Sequence, residues 1–333
     1  MSESNGIHPP VILLYNYDTT WTPEDAADCM QHIERMAGAL RGEGHSVEPV
    51  EVRRDIAGPL QRRNPRQAVV FNWCEGIDGQ PNAYDLVVQT LDDMGFTYTG
   101  SDAWTMKNTQ NKAEFKRILD ALGISTPRWS VFTRPGDADA WSVFPAIVKP
   151  VAEHCSFGIT PDSVVNDGAG LRRQIDYVMG KFGVGALVEE FIAGREINVS
   201  IWGNGTPQPL PLYEIEFPGI DDPQRRIVDY DSKWTLDSFQ YQHTPSRCPT
   251  DVEEPVAERI RQTALAAYRA LRCRDYSRID TRLRDGVPYV VDVNANCDIT
   301  IDGGFAKTAK AAGYDYGQMV SRIVGWANRR RLA

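Results

Sequence analysis

The stretch YSRIDTRLRDGVPYVVDVN, Tyr276 to Asn294, reads as two strands that double back at Arg284-Asp285-Gly286. Its register decides which side chains share a face. With Asp285-Gly286 as a two-residue turn, Asp280 would stand opposite Val291 and both faces would mix polar with apolar groups. A three-residue loop with Gly286 in the left-handed region instead pairs Asp280 with Val290 and Arg278 with Asp292. Ile279, Leu283, Val287, Tyr289, Val291 and Val293 then take one side, and Arg278, Asp280, Arg282, Asp292 and Asn294 the other. Two carboxylates and an amide oxygen on one face suit magnesium bridging phosphates, with an arginine beside them for an anion. A solvated polar face carrying an arginine–aspartate pair fits the same residues equally well.

Working back along the chain, Glu196 to Trp202 and Leu187 to Phe191 read as strands, the former turning at Gly203-Asn204-Gly205. Ala146 to Lys149 is a short strand entering the small, polar loop Pro150 to Gly158, and Ala113 to Leu122 is a helix that stops at Gly123. The first hundred residues alternate strand and helix: strands at Val11–Asn16, Ser46–Val50, Ala68–Cys74 and Phe96–Thr99, helices from Thr22-Pro23 to Gly44 and over about 82–94. In the first helix Met30, Ile33, Ala37 and Leu40 recur at three and four. This alternation predicts an open, mostly parallel α/β domain, with no GxGxxG fingerprint for a dinucleotide.

Toward the C-terminus, residues 218–249 hold prolines, aromatics and acids without periodicity, as a functional lid does. A helix with Val256, Ile260, Ala264, Ala267 and Leu271 on one stripe comes next, and a last helix carries Met319, Ile323 and Trp326. With 333 residues, 42% of them hydrophobic, the chain can bury more than one core. A net charge of −9 offers no basic surface for nucleic acid or an anionic membrane. No apolar run approaches the roughly 20 residues of a membrane span, and the six cysteines are scattered singly. The expectation is a cytoplasmic protein with reduced thiols.

Taken together, Asp280, Asp292-x-Asn294, Lys149-Pro150 and Glu189-Glu190-Phe191-Ile192 resemble the D-alanine–D-alanine ligase branch of the ATP-grasp superfamily. Tyr98-Thr99-Gly100-Ser101, Asn111-Lys112, Gly194-Arg195-Glu196, Tyr230-Asp231-Ser232-Lys233 and Arg278-Ile279-Asp280 extend the match over nearly the whole chain. The resemblance implies an α/β protein of three domains: an N-terminal open parallel domain (1–103), a central ATP-grasp subdomain (104–186) and a C-terminal α+β subdomain (187–333) bearing the lid. It also implies ATP clasped between the two antiparallel sheets. Lys112 and Lys149 would hold phosphate oxygens, Glu153 and Ser156 would lie in the loop over the phosphates, and Glu189 to Ile192 would line the adenine. Glu196 would accept from the ribose, and Asp280, Asp292 and Asn294 would bind magnesium, two ions with manganese as a substitute. Arg278 would stabilise the transferred phosphoryl group and Lys233 would close the site against water. A homodimer is implied by the family alone.

Departures gather at the substrate positions. Where the family has a serine in the phosphate loop and a tyrosine after the lid lysine, this chain has Cys155 and Trp234, and an indole cannot accept a hydrogen bond. His154 replaces a glycine, and Glu24 stands loosely where an N-terminal glutamate orients the first D-alanine. The proline-glycine turn and serine that receive the second D-alanine give way to Asn296-Cys297-Asp298-Ile299-Thr300 and then Asp302-Gly303-Gly304. Asp298 would repel a free carboxylate and favour a cationic or neutral amine. The expected function is therefore an ATP-dependent carboxylate–amine ligase acting through an acylphosphate, an amino-acid or peptide ligase of specialised metabolism. Small-molecule carboxylate and amine substrates are its partners. An ATP-grasp kinase, an imine-forming condensation, a bicarbonate-dependent carboxylation and a non-catalytic nucleotide-binding protein are the rival readings.

Overall fold

The computed structural model describes residues 8–80, 82–153 and 156–332. β1 (Val11–Asn16), β2 (Val47–Val52), β3 (Val69–Trp73) and β4 (Thr97–Tyr98) form a parallel sheet in the order β2-β1-β3-β4. Val11 to Leu14 are all buried, as they are in a strand covered on both faces. The connections are α1 (Pro23–Gly42), the short α2 (Ala57–Leu60) and α3 (Tyr84–Asp93). α1 begins in a capping box, with Thr22 accepting from the Asp25 N–H and Asp25 accepting from that of Thr22. Its buried stripe is Ile33, Met36, Ala37 and Leu40, with Met30 at the margin.

α4 (Ala103–Gln110) and α5 (Lys112–Ala121) lead into a second sheet, β5 (Trp129–Phe132), β6 (Ala146–Pro150), β7 (Val164–Val165) and β8 (Ala186–Glu190). It is antiparallel, ordered β5-β8-β6-β7, and backed by α6 (Gly168–Phe182), whose Leu171, Ile175 and Val178 fill its core. The third sheet comprises β9 (Arg195–Trp202), β10 (Gln208–Pro209), β11 (Tyr213–Ile215), β12 (Ser246–Arg247), β13 (Tyr276–Arg284) and β14 (Val287–Asn294). Its order is β12-β11-β9-β13-β14, with β10 also on β9. The expected lid holds two single-turn helices, α7 (Asp231–Trp234) and α8 (Phe239–Gln242), between β11 and β12. α9 (Glu254–Ala270) covers the apolar face of the third sheet, where Ile197, Val199, Ile279, Val290 and Val293 meet Ile260 and Ala264. α10 (Gly304–Ala311) comes next, and α11 (Tyr316–Leu332) returns to the parallel sheet beside α1.

The hairpin register differs from the sequence expectation. Arg284 pairs with Val287 across a two-residue turn whose Asp285 and Gly286 both have positive φ, 53° and 72°. The pairing is then shifted by a bulge between Asp280 and Thr281: Thr281 faces Val290, yet Asp280 faces Asp292 and Arg278 faces Asn294. The turn reverses the expected parity of residues 287–291, so Val290 enters the core while Val287 is exposed. The extra residue, Val291, restores it, so that Val293 is buried and Val291 and Asp292 both line the cleft.

Asp275 ties the layers together. Fully buried, it accepts from Gly100 N at 2.8 Å, from Asn204 Nδ2 at 2.7 Å and from the Arg330 guanidinium of α11. Removing one member of such a buried charged network leaves its partner uncompensated. Asp275→Ala is expected to lower the unfolding free energy by about 3 kcal/mol in denaturant titration; a loss below about 1 kcal/mol would show that the clasp contributes little.

Candidate active site

The floor of a cleft of about 650 Å³ is the polar face of the third sheet, arranged in cross-strand rows. Glu196 and Arg282 make one row; Asn198, Asp280 and Asp292 the next; Ser200, Arg278 and Asn294 the third. Strand register alone brings such neighbours within about 5 Å. Arg278 holds Asp280 by a fork, Nε to Oδ1 at 2.7 Å and a terminal nitrogen to Oδ2 at 3.0 Å, and Asn294 Nδ2 donates to Oδ2 at 2.9 Å. An arginine–aspartate pair thus forms within β13 itself, between Arg278 and Asp280 two residues along. Arg282 pairs with Glu196 at 2.7 Å and Arg284 with Glu190 at 2.7 Å. Asn198 is 5% exposed and lines the cleft with its Oδ1 unpartnered.

Across the cleft lie β6, β8 and the start of α5. Glu189, 1% exposed, is gripped by two ammonium groups: Lys116 on Oε1 and Lys149 on Oε2, the latter at 2.6 Å. Burial alone would push the Glu189 carboxyl up, but the two lysines hold it below the ordinary value. Lys112 Nζ donates to the carbonyl of Glu153, whose carboxylate accepts from Asn82 Nδ2 at 3.3 Å. Phe191 and Ile192 are buried, and Phe191, Ile147 and Ile227 form a small apolar cluster beside these charges.

The loop after β6 closes over this end. A Cβ on Gly158 would fall 2.6 Å from Pro150 Cγ and 2.8 Å from the Phe182 ring, and φ is +78°, so only glycine fits. Ser156 Oγ donates to Val228 O at 2.8 Å and Phe157 meets Tyr230 edge-on at 5.4 Å, joining the loop to the lid. Lys233 and Trp234 on α7 are exposed and line the cleft. His154 and Cys155 lie outside the described residues.

The N-terminal wall corrects one expectation. Glu24 sits exposed in the first turn of α1 and is not part of the cleft lining, whereas Asp28 and His32, one and two turns along, are. Trp73 and Glu75, at the carboxyl end of β3, also face it, opposite Asn296 and Asp298. The signal for Glu75 was available, since ligands bind beyond the carboxyl ends of parallel strands. The protein walls packed around Glu75 at the cleft mouth, with the charge of Asp298 added, push its carboxyl up to about 7. Asn296 Oδ1 accepts from Tyr276 at 2.8 Å. Lys116 was also legible, four residues after Lys112 and hence on the same helix face.

The donors at Asp280, Asp292 and Asn294 are all oxygen, the chemistry magnesium prefers, and they fit such an ion. Among the described residues no three His, Cys, Asp or Glu side chains already converge as a cage.

The profile of the family described as D-ala D-ala ligase C-terminus matches residues 118–325, more than half the chain. The chain belongs to that family. It is accordingly an ATP-grasp enzyme, an ATP-dependent ligase that forms C–N bonds. An uncharacterised protein of Sinorhizobium fredii is 31% identical over 89% of this chain and 87% of its own length. D-alanine–D-alanine ligase of Sphingopyxis alaskensis is 31% identical over 91% and 94%. The ATP complex of D-alanine–D-alanine ligase from Bacillus anthracis shares the fold, with a TM-score of 0.76 at 23% identity over 98% of this chain and 99% of that one. No helix among the described residues of this ligase is long and apolar enough to cross a membrane.

The tight packing at Gly158 makes the conformation of the loop after β6 testable. Gly158→Ala is expected to cost about 1–3 kcal/mol of stability and to weaken ATP binding, read by denaturant titration and equilibrium binding. Unchanged affinity would separate the loop's conformation from nucleotide binding.

Proposed function

We propose that this ligase activates a carboxylate as its acylphosphate and passes it to an amine that is not D-alanine, in specialised metabolism. The observation that carries the reading is the pair of acids facing one end of the cleft. Asp298 and Glu75 both line it, and the Asp298 carboxylate lies against Gly303 at the N-terminus of α10, where a Cβ would come within 2.8 Å of Oδ2. A helix N-terminus otherwise attracts anions, and here an internal carboxylate already faces it. A nucleophile with a carboxylate next to its amine meets repulsion there; an ammonium or neutral amine does not.

On this reading Lys112 and Lys149 take the phosphates, Glu153 and Ser156 shape the loop above them, and Glu189 to Ile192 flank the adenine beside Glu196 at the ribose. Arg278, held ready by Asp280, offers its guanidinium to the phosphoryl group in transfer and then to the tetrahedral centre formed by amine attack. Magnesium bound at Asp280, Asp292 and Asn294 would offset charge on the β- and γ-phosphates. Lys233 and Trp234, brought down with α7, exclude water from an acylphosphate that would otherwise hydrolyse. In the amide-forming step the incoming ammonium first gives one proton to Glu75, the freed amine nitrogen bonds to the carboxyl carbon, and the second proton it loses leaves with the departing phosphate.

The test is ADP release with magnesium and ATP over a grid of carboxylic acids paired with amino acids or with simple mono- and diamines, and then product mass. The expected product has the mass of the pair minus water and contains an amine without an adjacent carboxylate. Formation of D-alanyl-D-alanine at an ordinary rate would overturn the reading, and hydroxamate formation with hydroxylamine separates a ligase from a kinase.

The pH dependence carries a sign. Glu75 titrates near 7 and attracts an ammonium only when ionised, so KM for a cationic amine is expected to fall as pH rises through about 7. Glu75→Gln should flatten that profile and raise KM about tenfold. A profile identical to that of the unsubstituted enzyme would remove Glu75 from the amine site.

A further inference from the structure

We infer that Lys116 is a positioning residue that allows Lys149 to leave Glu189 and take up a nucleotide phosphate. The inference rests on the proposed role of Lys149 at the phosphates.

Each oxygen of Glu189 has its own ammonium, Lys116 on Oε1 and Lys149 on Oε2. The two lysines differ in freedom. Lys116 is fully buried on α5, and its Nζ also donates to Thr126 Oγ1 at 2.8 Å, which in turn donates to Val290 O of β14 at 2.8 Å. Lys149 retains 12% exposure and lines the cleft. One ammonium is locked into the protein and the other can move. The remaining charge that Lys116 feels is Asp292, on the metal-binding side of the cleft.

Had Glu189 only Lys149, departure of that lysine would strand a carboxylate at 1% exposure, which is strongly unfavourable. Lys149 would then remain on Glu189, and a phosphate would have to compete with it. With Lys116 in place Glu189 stays paired throughout, and the second positive charge is surplus to the carboxylate. The triad of two lysines and one glutamate carries a net charge of +1 that an incoming phosphate can use. Burial of Lys116 is thus tied to function through Glu189, without contact with the nucleotide.

The experiment is a double-mutant cycle on ATP affinity, measured by equilibrium binding of a fluorescent, non-hydrolysable ATP analogue with magnesium. Lys116→Met is expected to weaken binding at least about tenfold in the native background, and no more than about threefold in a Glu189→Gln background, where no buried charge detains Lys149. Equal weakening in both backgrounds would overturn the inference, as would full affinity in Lys116→Met. Lys116→Gln, which keeps a donor for Thr126, is expected to give the same pattern and serves if the methionine variant folds poorly. Lys149→Met binding as tightly as the native protein would instead refute the phosphate role of Lys149, so the two failures are distinct.

Discussion

The bulge opposite Asp280 is the constraint on which the site depends. In an unbroken ladder after the Asp285-Gly286 turn, strict alternation would send Asp292 and Asn294 to the face that α9 covers, and Val293 to the cleft. Burying a carboxylate and an amide against Ile260 and Ala264 would be prohibitive. One inserted residue, Val291, returns both oxygen donors to the face already occupied by Arg278 and Asp280. It also keeps Val290 and Val293 in one continuous core. The cost is a locally unpaired residue, and Val291 lies where the cleft wall accommodates it.

A second regularity is that acids on the sheet floor and on the facing wall of the cleft already have cations. Arg278 holds Asp280, Arg282 holds Glu196, Arg284 holds Glu190, and Lys116 and Lys149 share Glu189. Charges sunk this deeply would shift their pKa values or unfold the site if left alone. Pairing them keeps the cleft intact, and every pair is also a possible exchange partner for a ligand of matching charge.

The opposite end of the cleft is built differently. Asp28, Glu75 and Asp298 come from three separate segments of the chain, and Arg278 is already committed to Asp280. Desolvation first, and the charge of Asp298 second, raise the titration of Glu75. One end of the cleft therefore carries paired charges, while the other gathers carboxylates. The two ends are carried by different sheets and loops, so one can vary in sequence while the other is kept.

The amino-acid order by itself determined the element types and which residues carry the family motifs. Alternation of strand and helix up to Thr99, the three-four stripe of α1 and the helix start at Thr22-Pro23 are local effects, and local effects are readable from neighbouring residues. The motif residues Lys112, Lys149, Glu189, Glu196, Arg278, Asp280, Asp292 and Asn294 were likewise visible, and all of them line the cleft. Tertiary structure alone decided the hairpin register, because a bulge is chosen by burial on both faces and leaves no mark in a single strand. It decided that α1 offers Asp28 and His32 rather than Glu24, because helix phase relative to the cleft depends on how α1 seats on β1 and α11. It also decided that Lys116 and Lys149 share one carboxylate, a meeting of α5 with two strands that sequence separation conceals.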